Sequence, residues 1–253
     1  VAAVGDLHCT RSSQGTLQPL FAEAAARADV LLLCGDLTDY GLPEEARVLL
    51  GELASAGRLP VAAVLGNHDH ESGQAARVAE TLAEGGVRVL DGGAWEFRGI
   101  GFAGTKGFAG GFGKSALEPW GEATVKAFVQ EAVQEGLRLE SALARLTTPQ
   151  KVVLLHYAPV RATVEGEPPE IVPFLGSSRL EEPINRYGAA AVFHGHAHRG
   201  AAEGRTQAGI PVYNVALPAL QRAFPRGPHV RIVEIPLEPP VDRRQADRRT
   251  VSA

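Results

Sequence analysis

The sequence predicts an α/β protein with a mainly parallel sheet covered by helices. Three observations carry this expectation. The first third of the 253 residues alternates apolar runs of strand length with segments of helical periodicity. Near Val87 the pattern changes to short runs separated by glycine pairs, and throughout the chain polar titratable residues gather where the apolar runs end. A strand–helix–strand alternation buries its apolar faces best as a parallel sheet with helices packed on it.

In chain order, Val1 to Val4, Val30 to Cys34 and Val61 to Leu65 are expected strands, and Gln14 to Ala28, Pro43 to Gly57 and Gly73 to Glu84 expected helices. Pro43 suits a first helical turn, with Glu44 and Glu45 behind it at the positive end of the helix dipole. From Val87 to Ala103, glycines such as Gly92 and Gly93 suggest hairpin pairing and a mixed sheet. A glycine-rich loop from Gly104 to Gly113 follows, then a long helix from Glu122 to Leu146 with a kink expected at Gly136. Lys151 to Leu155 is another expected strand, Pro159 to Gly176 a long functional loop, and Ser177 to Tyr187 a helix. Ala190 to Phe193, Val212 to Val215 and Val230 to Ile235 are the last expected strands. Beyond Pro236 the periodicity is lost, so residues 1–236 are expected to form one domain and 237–253 a disordered tail.

Composition narrows the function. With 45% hydrophobic and 21% charged residues, and apolar runs too short to cross a bilayer, an ordinary cytoplasmic globular protein without a membrane partner is expected. No signal-peptide pattern precedes Gly5. Two cysteines, Cys9 and Cys34, are too few for a disulfide framework and read as inert reduced thiols. A net charge of −4 gives no electrostatic reason for tight nonselective nucleic-acid binding, so a nucleic-acid partner is not favoured.

Seven of the eight histidines lie in four short segments, GDLHC, GNHDH, LLHY and FHGHAH, each at the end of an expected strand; LLLCGD delivers Asp36 in the same way. Ligands of open α/β sheets bind at the carboxyl ends of strands. Asp6, His8, Asp36, Asn67, His156, His196 and His198 offer carboxylate, imidazole and amide donors without thiolate. That donor set suits Mn²⁺, Fe or Zn²⁺, and it is too large for one tetrahedral ion. Two ions sharing a carboxylate would use all of it.

The blocks Asp6-Leu7-His8, Gly35-Asp36, Gly66-Asn67-His68-Asp69, His156 and Gly195-His196-Ala197-His198 stand in order along most of the chain. In this the chain resembles the calcineurin-like metallophosphoesterases. The resemblance implies a four-layer α/β/β/α sandwich of two mixed β-sheets. It implies one ion on Asp6, His8, Asp36 and His198, and another on Asp36, Asn67, His156 and His196, with Asp36 bridging. It gives His68 the proton donation to the leaving group and, with Asn67, a place beside the phosphate; Asp69 would orient the His68 imidazole. Two ions about 3.5–4 Å apart activate a bridging water for in-line attack on phosphorus. The expected activity is hydrolysis of small phosphomonoesters or phosphodiesters. A nuclease is the alternative within the family, and a non-catalytic metal-binding scaffold the alternative outside enzymology.

Other features are weaker. FAGGFGKS, from Phe108 to Ser115, is similar to a phosphate-binding P-loop but lacks its first glycine, and Pro119 argues against the helix such a loop needs. Lys106, Lys114 and Arg11 are candidates to meet substrate phosphate. His70 and His194 match no ligand position, and His229 stands apart.

Overall fold

The structure, a computed structural model, describes residues 1–227 and 229–237; the tail expected from 237 onward lies, apart from Leu237, outside the described residues. The elements follow the alternation read from the sequence: β1 (Ala2–Val4), α1 (Gln18–Arg27), β2 (Leu31–Cys34), α2 (Pro43–Leu53), β3 (Val61–Val64), α3 (Ala75–Glu84) and β4 (Arg88–Val89). Then come β5 (Gly93–Phe97), β6 (Ile100–Gly104), α4 (Ala123–Ala144), β7 (Gln150–Leu154), α5 (Glu181–Tyr187) and β8 (Ala191–His194). The last are β9 (Glu203–Arg205), β10 (Pro211–Asn214), α6 (Leu217–Ala223) and β11 (Arg231–Ile232).

Two mixed sheets result. The first has the order β11-β1-β2-β3-β4, parallel except for β11; the second has the order β5-β6-β7-β8-β10-β9, parallel in its centre and antiparallel at both edges. The period-two alternation of strand side chains explains why the second sheet carries two cores. Phe102, Val152, Leu154, Ala191 and Phe193 join the core shared with the first sheet and with α1–α3. Their neighbours Ala103, Val153, Val192 and Val212 join Leu139, Ala142 and Leu143 of α4 and Ile184 of α5. The layers are therefore helix, sheet, sheet and helix. All four side chains of β2 are buried, as the unbroken apolar run of a strand covered on both faces requires.

Two helix starts and one expected kink differ from expectation, and the strand expected at Val230 to Ile235 is only Arg231–Ile232. Helix α1 begins at Gln18, with Pro19 in its first turn, because the Glu52 carboxylate of α2 accepts the N–H groups of Gly15 at 2.6 Å and Leu17 at 2.8 Å and holds that stretch as a loop. Helix α4 runs unbroken through Gly136, where a Cβ would come within 3.1 Å of the Arg179 carbonyl oxygen; the glycine serves close packing rather than a kink. Ser177 pairs with Gly111 and bonds the Ala158 carbonyl, so α5 starts later, at Glu181. The loop from Pro159 to Gly176 contains short 3₁₀ turns at Arg161–Val164 and Val172–Phe174. It has its own small core, with Val164 and Leu175 against Ala158 and Ala197. Among the described residues no helix is long and apolar enough to cross a membrane.

Candidate metal centre

Parallel strands end on one side, and here the ends of β1, β2, β3, β7 and β8 carry Asp6 and His8, Asp36, Asn67, His156, and His196 and His198 respectively. All seven expected ligands thus arrive at one rim, three strand ends from one sheet and two from the other. The ligand atoms of Asp6, His8 and His198 lie within 4.8 Å of one another, as do those of Asp36, His156 and His196. Asn67 joins the second group through its Oδ1, 2.9 Å from His156 Nε2. Asp36 stands between the groups, with Oδ2 3.8 Å from His8 Nε2 and Oδ1 3.4 Å from His156 Nε2.

The backbone is bent to make this possible. Among the described residues five non-glycine positions have positive φ, and four are expected ligands: Asp6 (55°), His8 (44°), Asp36 (47°) and His196 (67°). Left-handed backbone costs a non-glycine residue about 1–3 kcal/mol and persists where surrounding structure enforces it, commonly at functional sites. The glycines before the ligands make room: a Cβ at Gly66 would lie 2.1 Å from Asp36 Oδ1, and one at Gly195 2.2 Å from Asp6 Oδ2.

The donor geometry tests whether cations fit. His156 donates Nδ1–H to the Cys34 carbonyl at 3.0 Å, which leaves a lone pair on Nε2. That lone pair faces Asn67 Oδ1 and Asp36 Oδ1, so three acceptors converge on one point. His8 donates Nδ1–H to Asp39 Oδ1 at 3.1 Å, and its Nε2 is buried without a hydrogen-bond partner. Buried acceptors that face one another are costly unless a cation lies between them. The residues present fit divalent cations.

Electrostatics agrees. Burial pushes the His196 imidazole down to about 3, which keeps it neutral and able to coordinate. Asp6 is held below the usual carboxylate range: burial opposes ionisation, but the hydrogen bond from His198 and the neighbouring imidazoles outweigh it. Its carboxylate also accepts the His196 backbone N–H at 2.9 Å.

Asp69 must be reassigned. It does not orient His68. Its buried carboxylate accepts the N–H groups of Leu37 at 3.2 Å, Thr38 at 2.8 Å and Gly66 at 2.7 Å, and the Thr38 hydroxyl at 2.6 Å. It ties the loop after β2 to the loop after β3. Asp69→Ala would orphan these buried donors, and we expect chemical denaturation to show a loss of about 3 kcal/mol or more.

The group beside His68 is Asp39. Its carbonyl lies 2.8 Å from His68 Nδ1 and its carboxylate 3.8 Å, while the same carboxylate oxygen holds His8. Burial lowers the His68 pKa, but the Asp39 carbonyl and the Asp36 and Asp39 charges more than compensate and raise it. A carboxylate behind a ligating histidine is worth about 10- to 100-fold in metal affinity. Asp39→Ala should therefore weaken metal binding by about that factor in calorimetric titration, and leave the carbonyl contact to His68 in place.

The remaining sequence candidates lie differently. Lys106 turns its ammonium to the Gly107 carbonyl at 2.9 Å and over the Phe108 and Tyr157 rings. Lys114 lies on a short 3₁₀ turn at Gly113–Ser115, not at the start of a phosphate-binding helix. His194 is buried and bonded through both nitrogens, to Thr163 Oγ1 and the Gly195 carbonyl, each at 2.7 Å. Cys9 is buried, and burial pushes its thiol up to about 11. The sequence reading missed Asp39; the signal was present in Gly35-Asp36-Leu37-Thr38-Asp39, three residues past the shared carboxylate.

The model of the calcineurin-like phosphoesterases matches residues 1–200, a span that includes all the ligand blocks. The chain belongs to the calcineurin-like phosphoesterase family. Solved structures with this fold include phosphopantetheinyl hydrolase from Mycobacterium tuberculosis, at 17% identity and a TM-score of 0.66, covering 94% of this chain and 97% of that one. The protein TT1561 of Thermus thermophilus is 21% identical with a TM-score of 0.53, over 85% of this chain and 88% of that one. The purple acid phosphatase PPD1 from yellow lupin is 13% identical with a TM-score of 0.52; 80% of this chain covers 37% of that larger protein. At these identities the likeness shows the calcineurin-like fold alone. No curated protein matches the chain.

Proposed function

We propose that this chain is a dinuclear metal-dependent phosphoesterase that hydrolyses small phosphomonoesters or phosphodiesters. The observation that carries the reading is the convergence of bare acceptors: His156 Nε2, Asn67 Oδ1 and Asp36 Oδ1 on one side, and the unpartnered His8 Nε2 on the other. Asp6, His8, Asp36 and His198 would hold one ion, and Asp36, Asn67, His156 and His196 the other. Two divalent ions held there, such as Mn²⁺, Fe or Zn²⁺, would supply Lewis acidity that activates water and neutralises charge on the ester oxygens.

The chain's own groups do the rest. His68 is half-exposed at the rim, its backbone N–H anchored on Asp36 Oδ1 at 2.8 Å and its ring 4.5 Å from that of His8. In this place it donates a proton to the departing oxygen. Asn67 and His68 would flank the phosphate.

The test is a panel assay on metal-loaded protein with bis-p-nitrophenyl phosphate, p-nitrophenyl phosphate, cyclic nucleotides and single-stranded DNA. The mycobacterial neighbour is named for a phosphopantetheinyl substrate, so a phosphopantetheine diester belongs in the panel. Turnover of small esters, lost on chelation and restored by Mn²⁺, is expected. Cleavage of DNA alone would make the protein a nuclease, and inertness of the loaded protein toward every ester would make it a scaffold.

A further inference from the structure

Past the metal ligands, the segments that follow β1 and β2 continue side by side. Cys9 pairs in parallel with Thr38, the Cys9 N–H bonds the Leu37 carbonyl at 3.0 Å, and the Asp39 N–H bonds the Cys9 carbonyl at 3.1 Å. This register brings Arg11 next to Tyr40. Between them lies a cavity of about 460 Å³ bounded by Thr10, Arg11, Ser12, Tyr40, Leu42 and Glu45. Its position is informative, because Tyr40 directly follows Asp39, whose carbonyl touches His68 and whose carboxylate holds His8.

The walls of this cavity are fixed. The buried Glu45 carboxylate accepts the Tyr40 N–H at 2.9 Å and the Leu42 N–H at 3.3 Å, which pins the turn. Thr10 Oγ1 lies 3.0 Å from Ser12 Oγ and 3.1 Å from Ser13 Oγ, closing the opposite loop on itself. On this fixed frame Tyr40 nevertheless leaves 58% of its surface in water. Arg11 is equally open, with the Glu44 carboxylate 3.7 Å away. An exposed aromatic ring on a pinned turn and an adjacent guanidinium, shared with the Glu44 carboxylate at 3.7 Å, provide stacking area for a flat ring and a cation for an acidic substituent.

We infer that this cavity is the leaving-group subsite, and that it selects esters whose departing alcohol is an aromatic ring carrying a negative charge. The inference rests on the proposed phosphoesterase activity. In the reaction, water delivers its hydroxyl to phosphorus and the P–O bond to the ring oxygen breaks. That oxygen takes the proton of His68, and the second proton of water restores it. Because the residue before Tyr40 touches His68 Nδ1 through its carbonyl at 2.8 Å, we place the departing group toward Tyr40. Another exposed aromatic, Phe174, has its carbonyl 3.3 Å from His196 Nε2 and so belongs to the His196 side.

Three methyl phosphodiesters with leaving groups of similar acidity separate the terms: phenyl, 3-carboxyphenyl and hexafluoroisopropyl. The wild-type protein should prefer them in the order carboxyphenyl, phenyl, alkyl. Tyr40→Ala should lower kcat/KM for both aryl esters about tenfold through KM, with kcat and the alkyl ester unchanged. Arg11→Gln should remove only the advantage of the carboxylate, about threefold. A second readout needs no turnover: in metal-free protein, 3-hydroxybenzoate should shift NMR resonances of Thr10 to Ser12 and Tyr40, and Tyr40→Ala should abolish the shifts. Hydrolysis of all three esters with ratios untouched by Tyr40→Ala, or set instead by Phe174→Ala, would overturn the subsite. Shifts confined to the His156 and His196 side would overturn it as well. Failure to hydrolyse any ester, with the NMR shifts present, would count against the activity and leave the binding site standing.

Discussion

Asp36→Asn is expected to strip the centre of both ions and to lower turnover by about 10³-fold or more. The Asp36 carboxylate, which the proposed assignment shares between the ions, lies 3.8 Å from His8 Nε2 and 3.4 Å from His156 Nε2, and it is almost completely buried. Asparagine keeps its shape and tolerates the left-handed backbone that Asp36 adopts at φ 47°. What changes is the charge between the two ions. Stabilisation of transition-state charge by metals is worth several kcal/mol, and each ~1.36 kcal/mol is a factor of ten in rate, so losing about 4 kcal/mol gives the stated loss. Metal analysis of the desalted protein decides the point. His156→Ala removes a ligand from one group only and should retain an ion on Asp6, His8 and His198. If Asp36→Asn still carries two ions per chain, the carboxylate is not shared.

What the sequence made legible was whatever repeats with a period or sits next to its own signal. The βαβ alternation through α3 could be read because each run is apolar on a fixed spacing, and the seven candidate ligands because each lies within about five residues of the end of such a run. Asp39 was obscure for the opposite reason: its partners are 31 residues upstream at His8 and 29 downstream at His68, and only the packing of the loops past β1, β2 and β3 brings them together. Asp69 was misread because adjacency in sequence was taken for contact. On the 3₁₀ turn from His68 to His70, successive side chains diverge by about a third of a turn. One therefore points to the rim while the next is buried. Strand β9, Glu203-Gly204-Arg205, has no apolar alternation at all and is a strand only because β10 offers it an edge. Helix α6 is short, with a proline in its first turn, and presents too few residues for a period to register. The left-handed backbone at four ligands had no signal either, since that conformation usually announces itself by glycine.

His68→Gln should separate the proton donor from the metals. The His68 ring belongs to no ion in the proposed assignment, and its contacts are the Asp39 carbonyl and carboxylate and the edge of His8. Both ions should therefore stay bound, unlike in Asp36→Asn. General acid catalysis contributes about 10²- to 10⁴-fold, and its value depends on how badly the departing oxygen needs a proton. An alkoxide leaving group should feel the full loss, whereas p-nitrophenolate, already stable as an anion, should feel little of it. A plot of log kcat against leaving-group acidity should accordingly be shallow for the wild-type protein and steep for the variant. Asp39→Ala supplies the contrast, because it leaves a carbonyl on His68 while removing the carboxylate from His8: it should weaken metal binding and keep the shallow slope. Should His68→Gln retain full turnover on alkyl esters, the proton must come from solvent or from a metal-held water, and the His68–Asp39 contact would be a device of shape alone.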